Sequence, residues 1–274
     1  MKIVKVLGNN AVSAVDEKGR DVILTGKGIG FRVRSGDEVK EDLITKVFLP
    51  SNEKQYYFQE LVRDMPEEHI QCASEIISYA EVSLGKKLNE YIYITLTDHL
   101  NFAIERQKKG ILFKNAMQWE IKKFYHHEFT IGKEALEMVK DRLGVELPED
   151  EAGFFALHIV NAELGTDMEQ SIAITQTIQD VLNIVKYHFN ISLNEDSLQY
   201  ERFLTHLKFF LQRTIKGQYY ETEDKEFCEL VLRKYADAYE CVQKIEEYML
   251  TKMKHKMTKE EEMYLTVHIK RIIS

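Results

Sequence analysis

The chain has 274 residues, 44% hydrophobic and 30% charged, the balance of an ordinary globular protein with room for two to three domains. No apolar run approaches the length of a membrane span and the first residues are strand-like rather than a leader, so a cytoplasmic protein without membrane insertion is expected. The net charge of −8 is uneven: residues 1–34 hold seven Lys/Arg against three acids, a balance of +4 that leaves −12 on the other 240 residues, and so small a basic front fits either an anionic ligand or a surface fluctuation.

Residues 1–55 read as β structure. Lys2–Val6 and Ala11–Val15 alternate as half-buried strands do, with Gly8-Asn9-Asn10 as the turn between them. Asp16–Arg20 forms the next turn, Val22-Ile23-Leu24 the third strand, and a last strand falls near Thr45–Phe48 after the glycine-rich Gly26–Phe31. Four short strands in fifty residues bury little core alone, so this sheet is expected to pair with a second copy of itself.

From residue 57 the pattern turns helical. Helices are expected over Glu68–Leu84, Tyr91–Lys108, Glu134–Leu143 and Pro148–Ala162, then over Gln170–Phe189, Glu195–Lys216, Asp224–Met253 and Thr258–Ile273, with a junction near Gly165–Glu169. Thr258-x-x-Glu261 is a capping box that supports the last start. The fold class is therefore α+β and multidomain: a small antiparallel sheet followed by two homologous all-α bundles, with boundaries at 1–56, 65–167 and 170–274.

The homology of the two bundles rests on a repeat built around histidines. His99–Gly110 and His206–Gly217 superimpose without a gap at an offset of 107, matching His, Leu, Phe, an aliphatic residue, Arg, Lys and Gly. Pro148–Glu151 leading to His158-Ile159 matches Thr258–Glu261 leading to His268-Ile269 at an offset of 110. A duplicated module that keeps two histidines in register points to a histidine task performed twice, against the plainer reading of core histidines and packing residues repeated for structure.

Three chemistries compete. Metal binding lacks His-x-x-x-His or Glu-x-x-His pairs at these positions, and the adjacent His126-His127 diverge on a helix. General acid–base catalysis lacks a nucleophile motif such as Gly-x-Ser-x-Gly. Phosphoryl acceptance needs only a neutral imidazole and adds about two negative charges. Arg106 and Arg213, seven residues after His99 and His206, could meet that charge or serve structural ion pairs; Glu151 and Glu261, seven before His158 and His268, would repel it. Cys72, Cys228 and Cys241 are scattered and outside any CxxC, so neither a disulfide framework nor zinc is expected, and nothing implies a cofactor.

These residues carry a resemblance. Lys5–Asn10, Gly26–Phe31, Asp98-His99 and the three further histidines make the whole chain resemble bacterial transcriptional antiterminators of the BglG/SacY/LicT type, nearest to the β-glucoside-responsive members. The resemblance implies a regulator rather than an enzyme. Its N-terminal domain would bind, as a homodimer, an RNA hairpin in leader mRNA and prevent a terminator from forming. Lys5, Asn10, Gly26, Lys27, Gly28 and Phe31 would contact the RNA. Many members have Arg where this chain has Lys27, which keeps the charge but loses the planar fork. The two helical domains would be phosphotransferase-system regulation domains: His99 and His158 phosphorylated by the sugar permease (enzyme II), switching the protein off, and His206 and His268 phosphorylated by HPr, switching it on through a dimer closed by the second helical domain. A DNA-binding activator and a histidine phosphocarrier are the alternatives.

Overall fold

The computed structural model describes residues 1–8, 11–26, 28–44, 46–48, 65–111, 113–218 and 224–273. The chain divides into two compact units, Met1–Gly165 and Thr166–Ser274.

The N-terminal sheet is an antiparallel meander of β1 (Lys2–Gly8), β2 (Ala11–Val15), β3 (Asp21–Thr25) and β4 (Lys46–Phe48), in that order. The β2–β3 turn is closed by Asp16, whose carboxylate accepts the backbone N–H groups of Lys18 and Arg20 and the Arg20 guanidinium; Gly19 takes the left-handed conformation this needs (φ 74). Ile3, Val12, Ala14, Val22 and Leu24 form one core face, joined by Ile29 and Val39. The alternation expected of Ala11–Val15 does not hold, and β3 is buried in the same continuous way. Ala11 to Ala14 and Val22 to Thr25 are buried without interruption, so the face that carries Ala11, Ser13, Ile23 and Thr25 is covered as well as the core face. The expected Gly8–Asn10 turn falls partly outside the described residues, though Gly8 pairs with Ala11 across it.

Ten α-helices follow among the described residues. The first five are α1 (Glu67–Leu84), α2 (Ile92–Lys108), α3 (Gln118–Phe124), α4 (His126–Leu143) and α5 (Asp150–Leu164). The second five are α6 (Met168–Phe189), α7 (Leu198–Ile215), α8 (Lys225–Lys234), α9 (Ala236–Met253) and α10 (Lys259–Ile272). Residues at helical spacing make each core: Cys72, Ile76 and Ala80 of α1 meet Leu96, Leu100 and Ala103 of α2, Ala135 and Val139 of α4, and Phe155 and Ile159 of α5. In the second set, Ile174, Ile178 and Leu182, Phe203, Leu207 and Leu211, Val242, Ile245 and Met249, and Leu265 and Ile269 are buried in the same way.

Two expectations about the helices need correction. The helix placed at Glu134 begins at His126, and the single helix placed over Asp224–Met253 is two, α8 and α9. Each set therefore has a short helix ending one residue before a long one, with Tyr125 and Tyr235 at the breaks (φ −128, ψ 50 and φ −116, ψ 48). The hydrogen-bond ladder passes through both: the Tyr125 N–H donates to the Ile121 carbonyl and the Tyr125 carbonyl accepts from the Phe129 N–H, as Tyr235 does with Val231 and Tyr239. No proline or glycine marks either kink, so packing sets it rather than backbone chemistry.

Helices α4 and α5 cross at Gly132, where an added Cβ would stand 2.2 Å from the Ala152 carbonyl oxygen. Gly132→Ala is expected to destabilise the first helical set by about 1–3 kcal/mol through overpacking. Denaturant unfolding of the full chain, resolved by hydrogen exchange in α4 and in α9, should show the loss in α4 alone.

Candidate functional site

The fold brings the four repeated histidines together as two pairs. His99, at the middle of α2, lies against His158 of α5, with ring centroids 4.9 Å apart and planes inclined by 43°. His206 of α7 lies against His268 of α10 at 4.2 Å and 37°. Each pair joins the second long helix of its set to the last.

The surroundings differ. At the first pair, His99 Nε2 is 2.9 Å from Glu151 Oε2, and the other carboxylate oxygen of Glu151 accepts from the Arg106 guanidinium. Glu151 is 3% exposed on its side chain and Arg106 11%, so one buried carboxylate ties α5 to two residues of α2. Phe154 and Phe155 lie 5.5 Å from the His99 ring, and Arg106 stacks over Phe102 and Phe113 at 4.9 and 5.0 Å. Arg106 thus makes the structural ion pair that the sequence left open. Burial, and then the neighbouring His99, hold the His158 imidazole well below its ordinary value.

At the second pair Glu261 does not take that place. Glu261, the counterpart of Glu151, instead accepts from the Thr258 backbone N–H at 2.9 Å and lies 3.0 Å from His255 Nε2. The Tyr264 hydroxyl contacts His206 Nδ1, and its ring packs edge-on to both histidines, 5.3 and 4.7 Å away. His206 is pushed down by burial and then by the guanidinium charges of Arg271, Arg202 and Arg213. His268 is pushed down to about 4 by burial, then by His206 and Arg271. Sequence reasoning missed Tyr264, Arg202 and Arg271; the signal was present, since Tyr264 stands one helical turn before His268 and Arg202 one turn before His206.

The residues expected to meet RNA occupy the sheet and the turn after β3. Lys5 is exposed and stands opposite Ser13 in the β1–β2 ladder, out of register with the core face. Gly26 is buried and its carbonyl accepts from Ile29, while Gly28, at φ 72, accepts from Phe31. These two turns seat Ile29 in the core and leave Phe31 57% exposed, its ring 5.2 Å from the Arg32 guanidinium. Asn10 and Lys27 lie outside the described residues. Among the described residues no cluster of His, Cys, Asp or Glu could hold a metal ion, and no helix is long and apolar enough to cross a membrane. The three cysteines are buried.

An imidazole kept neutral by the fold takes up its proton on unfolding, so its lowered value weakens folding in acid. For His268 the stabilisation is complete above the ordinary value of 6.5 and is lost as pH falls from there towards about 4. His268→Gln should remove that component. Hydrogen exchange of α10 amides from neutral pH downward would show a steeper decline in the wild type than in the variant.

Comparison with known proteins agrees with this layout. Residues 1–56 match the CAT RNA binding domain, and residues 74–162 and 179–272 each match the PRD domain. The chain is 52% identical over 274 residues to the transcription antiterminator LicT of Bacillus subtilis, covering 100% of this chain and 99% of that protein. It is 44% identical over 275 residues to the β-glucoside operon antiterminator of Dickeya chrysanthemi, covering 100% and 97%. The crystal structure of GlcT CAT-PRDI, 36% identical, superimposes with a TM-score of 0.53 over 59% of this chain and 96% of that one. One RNA-binding module followed by two histidine-paired helical modules, matched end to end, places the chain in the BglG/LicT family of transcriptional antiterminators.

Proposed function

We propose that this chain binds an RNA hairpin in leader mRNA as a homodimer, prevents terminator formation, and is switched by phosphate on its two histidine pairs, in the service of a β-glucoside operon. Residues 1–56 form the RNA-binding domain, 65–167 the first regulation domain and 170–274 the second. The protein works in the cytoplasm, accepts phosphate without passing it on, and neither turns over substrate nor inserts in a membrane.

On the RNA domain, Lys5 and Lys27 neutralise phosphate, Asn10 reads a base edge, Gly26 and Gly28 let the backbone approach, and Phe31 stacks. The observation that carries the regulatory reading is the opposite electrostatics of the two pairs. A ring nitrogen attacks the donor phosphorus, a P–N bond forms, and the donor's own bond to phosphorus breaks with the electron pair leaving on the donor. HPr is the donor for His206 and His268, and the sugar permease for His99 and His158. At His206 or His268 the new charge meets Arg202, Arg213 and Arg271 and stabilises the α7–α10 contact. At His99 or His158 it arrives beside Glu151, repels that carboxylate and competes for Arg106, which breaks the α2–α5 bridge. Phosphate on the second pair therefore supports the active dimer, and phosphate on the first opposes it.

Phe31→Ala should weaken hairpin binding by about 1–3 kcal/mol, and Lys5→Ala should lower the salt slope by about one. Titration of the full chain against a bulged RNA hairpin and against duplex DNA, at two salt concentrations, checks both; equal affinity for DNA would remove the reading. His206→Asp with His268→Asp should shift the protein towards dimer in sedimentation and raise terminator readthrough in a transcription assay, whereas His99→Asp should abolish readthrough. An unchanged monomer population in the double variant would contradict the assignment.

A further inference from the structure

The contrast between the pairs turns on the direction taken by one glutamate, and the sequence contains the cause. Glu151 and Glu261 are counterparts at the offset of 110, as are Val145 and His255, and Pro148 and Thr258. Glu261 is held by two groups, the His255 imidazole (Nε2 to Oε2, 3.0 Å) and the Thr258 backbone N–H (2.9 Å) within the α10 capping box. His255 is 4% exposed and Glu261 3%, so this is a buried, ordered contact. In the first set neither partner exists: valine has no polar atom, and proline has no N–H to donate. Glu151 is equally buried and must satisfy its oxygens elsewhere, and it does so on His99 and Arg106.

We infer that His255 and Thr258 are positioning residues that turn Glu261 away from the His206–His268 pair, and that this diversion makes the second pair receptive to a phosphoryl group while the first pair keeps its carboxylate. The inference deepens the reading that the second pair accepts phosphate and rests on it. It goes beyond that reading in assigning the electrical difference between two duplicated sites to two residues outside the pair that hold Glu261.

The exchange His255→Val with Thr258→Pro gives the second set the first set's residues; Thr258 sits at φ −78, within proline's range. Glu261 then turns to His206 and Arg213, as Glu151 does to His99 and Arg106. Two measurements on the full chain read this without RNA or a protein donor. In histidine NMR the His206 titration midpoint should rise by about one pH unit, because a carboxylate within about 4–6 Å favours the charged ring. Labelling of His206 and His268 by phosphoramidate, a small-molecule phosphoryl donor, should fall several-fold. Adding Glu261→Gln to the exchange should restore both, which simple loss of structure would not allow. The reverse exchange, Val145→His with Pro148→Thr, should raise phosphoramidate labelling of His99 and His158, and it tests the inference independently should the first exchange fold poorly. An unchanged His206 midpoint and labelling rate in the folded exchange variant, or a loss that Glu261→Gln does not restore, would overturn the inference. A failure of His206→Asp with His268→Asp to alter readthrough would instead count against the regulatory reading and leave these measurements untouched.

Discussion

Two imidazoles packed against each other across a helix crossing resist carrying two protons at once, and the chemistry open to both helical sets turns on this. The rings stand 4.9 Å apart in one set and 4.2 Å in the other, and burial together with the neighbouring ring depresses His158 and His268. At neutral pH such rings keep a lone pair, which a nucleophile requires. Each partner belongs to a different helix, so charge added to one ring is felt directly at the seam between helices. A single histidine on an open surface would supply the nucleophile without the mechanical coupling.

Duplication then allowed the two seams to diverge in charge while keeping their geometry. In the first, a buried carboxylate holds an imidazole and a guanidinium and the contact is complete as it stands. A buried ion pair of this kind contributes modestly when intact and is costly when one partner is disturbed, which is the behaviour of a latch. In the second, guanidinium charge gathers around a neutral pair, an arrangement that gains most once an anion arrives. On the proposed reading, one scaffold thus yields a contact that an added phosphate would open and another that it would close.

Much of this was legible in the sequence, and what was not has identifiable causes. The four histidines, the helical repeat and the Thr258–Glu261 cap could be read because they rest on local spacing, and the cap forms as expected. The kinks at Tyr125 and Tyr235 could not, since their hydrogen bonds continue and no breaker stands there; only the two tyrosines recurring at the offset of 110 hint at them. The continuous burial of β2 was hidden because Ala11, Ser13 and Ala14 are too small to declare a face by polarity. The fate of Glu261 was ambiguous for a different reason. A capping box and an acid near a histidine are two uses of the same side chain, and the choice depends on His255, six residues upstream and buried beside it.

The close crossing at Gly132 bears on how a chain with two related halves avoids confusing them. Helices α4 and α9 share a period, a kink and a core stripe, so during folding each is a plausible neighbour for either closing helix. The counterpart of Gly132 is Val242 and that of Ala152 is Glu262. Since even a Cβ at residue 132 would stand 2.2 Å from the Ala152 carbonyl, α9 with Val242 at that point could not lie down on α5 at the depth α4 reaches. The missing side chain acts as a key cut for one lock, and it distinguishes the halves of the duplication by shape.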